Sequence, residues 1–169
     1  RWLYEKKYVT YVLGIVGLSL FHTFALAFLP LVFFVKLKPK TYYVIMLLSM
    51  CIGFAGFSGL IQPLYRLYSV EYTDSFSLIS LLQRIVISLI IYFLYKDSED
   101  RQSDEDTMLV KVFFYGLALY VCFMSNELIA ARLASALLVL DVVLVPKMLS
   151  LNRNKTSLFL FVIVAIVLV

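Results

Sequence analysis

The chain is built from long apolar runs: Tyr8–Val35, Thr41–Ile61, Phe76–Tyr95, Met108–Ser125, Leu128–Pro146 and Ser157–Val169. Short stretches separate them, and the charges gather there. Apolar residues are continuous inside each run. They do not alternate with polar ones over ~10 residues, as barrel strands would. A helical crossing of a bilayer needs ~20 such residues. Thr41–Ile61, Phe76–Tyr95 and Leu128–Pro146 meet that length, Met108–Ser125 is slightly short, and Ser157–Val169 begins another crossing. Tyr8–Val35 would make a helix of about 42 Å at 1.5 Å per residue, long for one crossing and short for two.

Charge decides how to read that first run. If it is two short helices meeting near Phe21-His22-Thr23, then Arg1, Lys6, Lys7, Lys36, Lys38, Lys40, Lys96, Arg101, Lys147, Arg153 and Lys155 share one side. The opposite loops keep only Arg66. The excess of lysine and arginine marks the cytoplasmic side. A single span would carry the N-terminal cations across and weaken the bias. The two-helix reading predicts an all-α, polytopic membrane helix bundle. It has about seven passes, including a short-helix pair broken near His22. The outer loops then lie near His22, at Gln62–Ser75 and at Ser125–Glu127. No internal repeat is visible. The expected organisation is one transmembrane helical domain over residues 1–169, the later part of a longer membrane protein.

Composition agrees with that reading. Hydrophobic residues form 63% of the chain, charged residues 15%, and the mean hydropathy is +0.95. A soluble domain averages about 45–50% apolar and about 25% charged. The pI near 9.0 reflects cations flanking apolar runs, which argues for membrane topology and against nucleic-acid binding. Cys51 and Cys122 both lie in apolar runs, so no disulfide framework is expected.

Two arginines change the picture most. Arg84 and Arg132 sit well inside apolar runs. A guanidinium stays charged, and within hydrocarbon it costs roughly 2.5–3.5 kcal/mol on insertion scales, so it usually faces a bundle interior or a wet cavity. On Phe76–Tyr95, Ser77, Ser80, Arg84 and Ser88 fall along one helical stripe with Gln83 beside it. That stripe reads as a cavity lining or as a helix–helix hydrogen-bond seam. The arginine favours the cavity. Arg132 and Asp141 are nine residues apart, on opposite sides of a straight helix. Arg132 then reaches the outer cavity or snorkels to the interface, while Asp141 pairs with another helix, Arg84 being its natural partner.

His22 is the one histidine of the chain. It reads equally as a general base for a hydroxyl nucleophile or as a residue of the helix break. Glu127, at the outer end of the Arg132 run, is the competing base. Tyr65, Arg66, Tyr68, Glu71, Tyr72 and Asp74 in the outer loop suit sugar contact, and suit an interfacial aromatic belt better. Ser49, Gly53 and Gly56 form a small-residue face for close helix packing. The acidic stretch Asp97–Asp106 reads as a solvated loop. No metal-ligand set, phosphate loop or nucleophile elbow appears in the sequence.

Two segments resemble a known family. Leu20-Phe21-His22-Thr23-Phe24-Ala25-Leu26 resembles the "fH-(S/T)-x-A-L" segment of EpsG-like polysaccharide polymerases. Glu127-Leu128-Ile129-Ala130-Ala131-Arg132-Leu133, followed by Leu144-Val145-Pro146, resembles the family's late helix, in which an arginine precedes a proline-ended apolar run. Ser135-Ala136 stand where the family often has an aromatic residue. These proteins are similar in role to Wzy O-antigen and capsule polymerases.

The resemblance implies a multi-pass protein of the bacterial plasma (inner) membrane. It would join polyprenyl-pyrophosphate-linked oligosaccharide repeat units on the outer face. His22 and Glu127 are then the catalytic candidates. Arg84, Arg132 and Arg66 hold pyrophosphate, for which bidentate guanidinium groups are suited. Ser80, Gln83, Ser88, Tyr65 and Tyr68 line the substrate cavity. No cofactor, metal or nucleotide sugar is implied. The partners are the lipid-linked oligosaccharide and membrane lipids, with room for a chain-length regulator. The competing reading is a flippase or transporter that holds a lipid-linked sugar or another anion without cleaving a bond.

Overall fold

The computed structural model describes residues 2–37, 39–57, 78–97 and 103–151. Among the described residues the chain is all-helical. The elements are α1 (Tyr8–Ser19), a 3-10 helix (Thr23–Phe28), α2 (Leu31–Phe34), α3 (Pro39–Phe57), α4 (Leu78–Asp97), α5 (Asp104–Cys122), α6 (Glu127–Leu138) and α7 (Asp141–Leu151).

The first run is divided where the two-helix reading divides it. α1 closes at Ser19, and His22, in extended conformation, caps the following 3-10 helix. The returning segment folds back along α1. The Tyr11 hydroxyl donates to the Phe28 carbonyl at 2.9 Å, and the Lys36 ammonium stands 4.0 Å from the centre of the Tyr8 ring. Buried Leu31, Phe34 and Val35 pack with Tyr115 of α5. The Tyr115 hydroxyl donates to the Ala27 carbonyl. Lys111 donates to the Val35 carbonyl at 3.0 Å.

Helix starts follow from local chemistry. Ser103 and Asp106 form a reciprocal capping box at α5, each side chain accepting from the other's backbone N–H at 3.2 Å. Asp104, Glu105 and Asp106 crowd that first turn, where negative charge meets the positive end of the helix dipole. Asn126 caps α6 by accepting from the Ile129 N–H at 3.2 Å. The run expected as one span, Leu128–Pro146, lies within one stretch apolar enough to cross, Glu127–Leu151, which a tightened turn divides into α6 and α7. Around Val139 and Leu140 the bonds tighten to the three-residue spacing, Leu140 to Leu137 at 3.2 Å and Val142 to Val139 at 3.2 Å. Pro146 then lies inside α7, where it offers no N–H to the Val142 carbonyl.

The core joins α4, α5, α6 and α7 through Ile91, Leu94, Phe113, Ala134, Leu144 and Met148, all nearly or fully buried. Glycine permits the closest approaches. A Cβ on Gly116 would stand 2.7 Å from Leu137 Cβ, and one on Gly53 would run into the Val121 carbonyl. Gly53, from the small-residue face, therefore packs α3 on the far end of α5. At the near end Asp106 pairs with Lys147 of α7. The contacts of Tyr8, Lys36, Lys111, Asp106 and Lys147 thus gather around the first turns of α5.

Large apolar side chains cover the outside. Phe21 is 90% exposed, Val9 73%, Phe33 72% and Ile79 71%. Such a surface suits lipid and not water. Two of the described stretches, Leu78–Lys96 and Glu127–Leu151, are long and apolar enough to cross a membrane. α1, with 12 residues, reaches about 18 Å, roughly half of a bilayer core.

Candidate functional site

The first turn of α4 meets the first residue of α6. Ser80 donates its hydroxyl to Glu127 Oε1 at 2.9 Å, across 47 positions of sequence. The helical stripe on α4 and the helix start beside Asn126 bring them together. Tyr120, buried near the end of α5, completes the junction. Its ring faces the Arg84 guanidinium.

Arg84 lies one turn along α4 from Ser80. Its guanidinium carbon stands 6.0 Å from the Tyr120 ring centre, the outer limit of a cation–π contact. Its Nη1 is 3.9 Å from Asp141 Oδ2 at the start of α7. The expected Arg84–Asp141 pairing is present in this loose form. Four helices thus contribute to one polar network: Ser80 and Arg84 from α4, Tyr120 from α5, Glu127 from α6 and Asp141 from α7. Asn126 adjoins it, fully buried, with an amide nitrogen that has no hydrogen-bond partner among the described residues.

The other selected residues stand elsewhere. Ser88 is buried, and its hydroxyl donates to the Ile85 carbonyl of its own helix at 2.8 Å. It serves the helix rather than a cavity. Gln83 is exposed beside the stripe. Arg132 is exposed on α6, outside the buried stripe of Ile129, Ala130, Leu133, Ala134 and Leu138. Arg84 and Arg132 are therefore held in different settings, one in the network and one on the apolar outer surface. His22 is exposed at the turn of the α1–α2 hairpin. Tyr65, Arg66 and Tyr68 lie outside the described residues.

Sequence reasoning passed over Tyr120. It sits in an apolar run like any core aromatic, although a tyrosine hydroxyl inside a membrane needs a partner, and that need was the available signal. A cavity of about 890 Å³ opens between the N-terminal segment, α5 and α6, lined by Trp2, Tyr4, Tyr11, Met108 and Leu137 among others. None of the described candidate residues lines it. Among the described residues no three His, Cys, Asp or Glu side chains gather where a metal could sit.

The network sets two carboxylates, Glu127 and Asp141, and one guanidinium, Arg84, among apolar helices. The EpsG family model matches residues 1–169, and the chain belongs to that family, the EpsG-like polysaccharide polymerases. The family is membrane-associated and tied to polysaccharide biosynthesis. No curated protein and no solved structure matches the chain significantly.

Proposed function

We propose that this chain carries the catalytic centre of a polymerase that joins polyprenyl-pyrophosphate-linked oligosaccharide units at the outer face of the bacterial inner membrane. The observation that carries the reading is the Ser80–Glu127 hydrogen bond one helical turn from Arg84. A carboxylate oriented by a hydroxyl is placed to take a proton. A guanidinium nearby is placed to hold phosphate.

In the proposed reaction a sugar hydroxyl of one unit attacks the anomeric carbon of the next. Its proton passes to Glu127. The bond from the anomeric carbon to the phosphate oxygen breaks, and polyprenyl pyrophosphate departs with the electron pair. Arg84 stabilises the charge that grows on that leaving group. Arg132, exposed at the lipid surface, and Arg66 receive the pyrophosphate headgroup as it approaches. Tyr65, Tyr68 and Gln83 contact the glycan. His22, on the separate hairpin, is the second base in this scheme and ranks behind Glu127. A chain-length regulator would act on this protein from outside the site.

The clustering of Lys36, Lys111 and Lys147 around the first turns of α5 supports placing those turns at the cytoplasmic side. Glu127 then opens outward, and the seven-pass arrangement becomes the membrane topology. Glycan chain length in cells tests the assignment. Glu127→Gln is expected to leave single repeat units while His22→Ala still polymerises. Full-length polymer from Glu127→Gln, with His22→Ala making only single units, would move the base to His22.

A further inference from the structure

Arg84 is held more loosely than a purely structural ion pair requires. Charge-assisted guanidinium–carboxylate contacts are usually ~2.7–2.9 Å and often bidentate. Here one Nη stands 3.9 Å from one oxygen, with the Arg84 side chain 35% exposed and that of Asp141 14%. The second neighbour is the face of Tyr120 at 6.0 Å, which accepts no directed hydrogen bond in a guanidinium fork. Most of the five donors of Arg84 are thus uncommitted to Asp141.

Asp141 is also placed where it can withdraw. It is the first residue of α7, directly after the tightened turn at Val139 and Leu140. Pro146, one turn and a half further on, removes a backbone bond from the same helix. A small change at that turn would move the carboxylate relative to Arg84.

We infer that Asp141 is a stand-in anion, which neutralises Arg84 in the empty site and gives up the guanidinium when a substrate phosphate arrives. The inference rests on the proposed phosphate role of Arg84 and adds a competitor to it. A guanidinium left unpaired among membrane helices is costly, so the resting protein needs a counter-charge. A close bidentate pair would block the substrate, whereas a single long contact does both tasks. Competition has a direct consequence. Weakening the Asp141 contact must tighten phosphate binding, and strengthening it must weaken binding.

The experiment measures binding of inorganic pyrophosphate to the detergent-solubilised full chain, by calorimetry and by the shift in Tm. Asp141→Asn keeps the shape and removes the charge, and is expected to bind pyrophosphate about 5-fold or more tighter than the unaltered chain, within the usual range of coupling between sites. Asp141→Glu extends the carboxylate across the gap and is expected to bind more weakly. Arg84→Gln is expected to weaken binding in every background and to erase the difference between the Asp141 variants. Equal or weaker binding by Asp141→Asn, with binding still dependent on Arg84, would overturn the stand-in role alone. Pyrophosphate binding that is absent throughout, or indifferent to Arg84, would overturn the phosphate role of Arg84 and the inference with it. If Asp141→Asn does not fold, the Asp141→Glu arm decides, because tighter binding there contradicts competition.

Discussion

Gly116→Ala tests the packing on which the polar network depends. Gly116 lies on α5 one turn before Tyr120, and its missing side chain admits α6. A Cβ there would sit 2.7 Å from Leu137 Cβ and 3.5 Å from the Leu137 carbonyl carbon. Leu137 Cβ is fixed to the backbone, so α6 itself must retreat. Overpacking of this kind costs about 1–3 kcal/mol. Against it stands the intrinsic gain of alanine over glycine in a helix, about 1 kcal/mol. Gly17→Ala separates the two, because nothing lies within 4 Å of a Cβ at that position of α1. Both variants share the propensity gain, and their difference isolates the clash. For a chain of this size 1 kcal/mol moves Tm by roughly 2–4 °C, so the difference is expected at about 2–12 °C. Thermal unfolding of the two variants in one detergent measures it. Equal Tm values would refute the close α5–α6 contact and with it the placement of Glu127.

Further outcomes follow from other contacts. Burial works to raise the Asp106 carboxyl, but the Lys147 ammonium and the Ser103 hydroxyl and N–H outweigh it and hold the group below its ordinary value of 3.8. A lowered folded value means that the stabilisation is present above 3.8 and is lost as pH falls through the folded value. Tm of the unaltered chain should therefore drop more steeply below about pH 4 than Tm of Asp106→Asn, and parallel curves would contradict the pairing. Topology predicts that a cysteine at Gln102, in a chain with Cys51 and Cys122 replaced, is closed to an impermeant thiol reagent in intact cells. One at Ser69 should label. The reverse pattern would invert the orientation. Ser80→Ala should lower polymer yield about 10-fold or less, since it orients Glu127 without taking the proton, against roughly 10²–10⁴-fold for Glu127→Gln. Equal losses measured by incorporation of labelled sugar would place Ser80 in the chemistry itself.

Much of this arrangement is legible in the residues because its causes are local. The apolar runs set the helical class, and the break beside His22 follows from a run too long for one crossing and from the side on which the cations fall. The stripe of Ser80 and Arg84 follows from helical spacing, and a guanidinium in an apolar run had to find an anion, which Asp141 provides. What sequence could not supply depends on pairs distant in the chain. Ser80 reaches Glu127 across 47 positions, and Lys111 reaches the Val35 carbonyl across 76. Neither contact has a local signature. Arg132 shows the limit of the solvation argument: it implies an anion or a wet interface, and says nothing about which face of α6 carries the group. The division of Leu128–Pro146 at Val139 and Leu140 is likewise invisible, because no glycine or proline marks that turn.

The central claim is that Glu127 and Arg84 together carry glycosidic bond formation in the membrane. The most direct measurement uses the purified full chain in liposomes, with a polyprenyl-pyrophosphate-linked oligosaccharide as sole substrate. The unaltered chain should yield a ladder of multiples of the repeat unit together with free polyprenyl pyrophosphate. Glu127→Gln and Arg84→Gln should leave the single unit intact. Movement of the lipid across the bilayer with no ladder, or an undiminished ladder from both variants, would contradict the account.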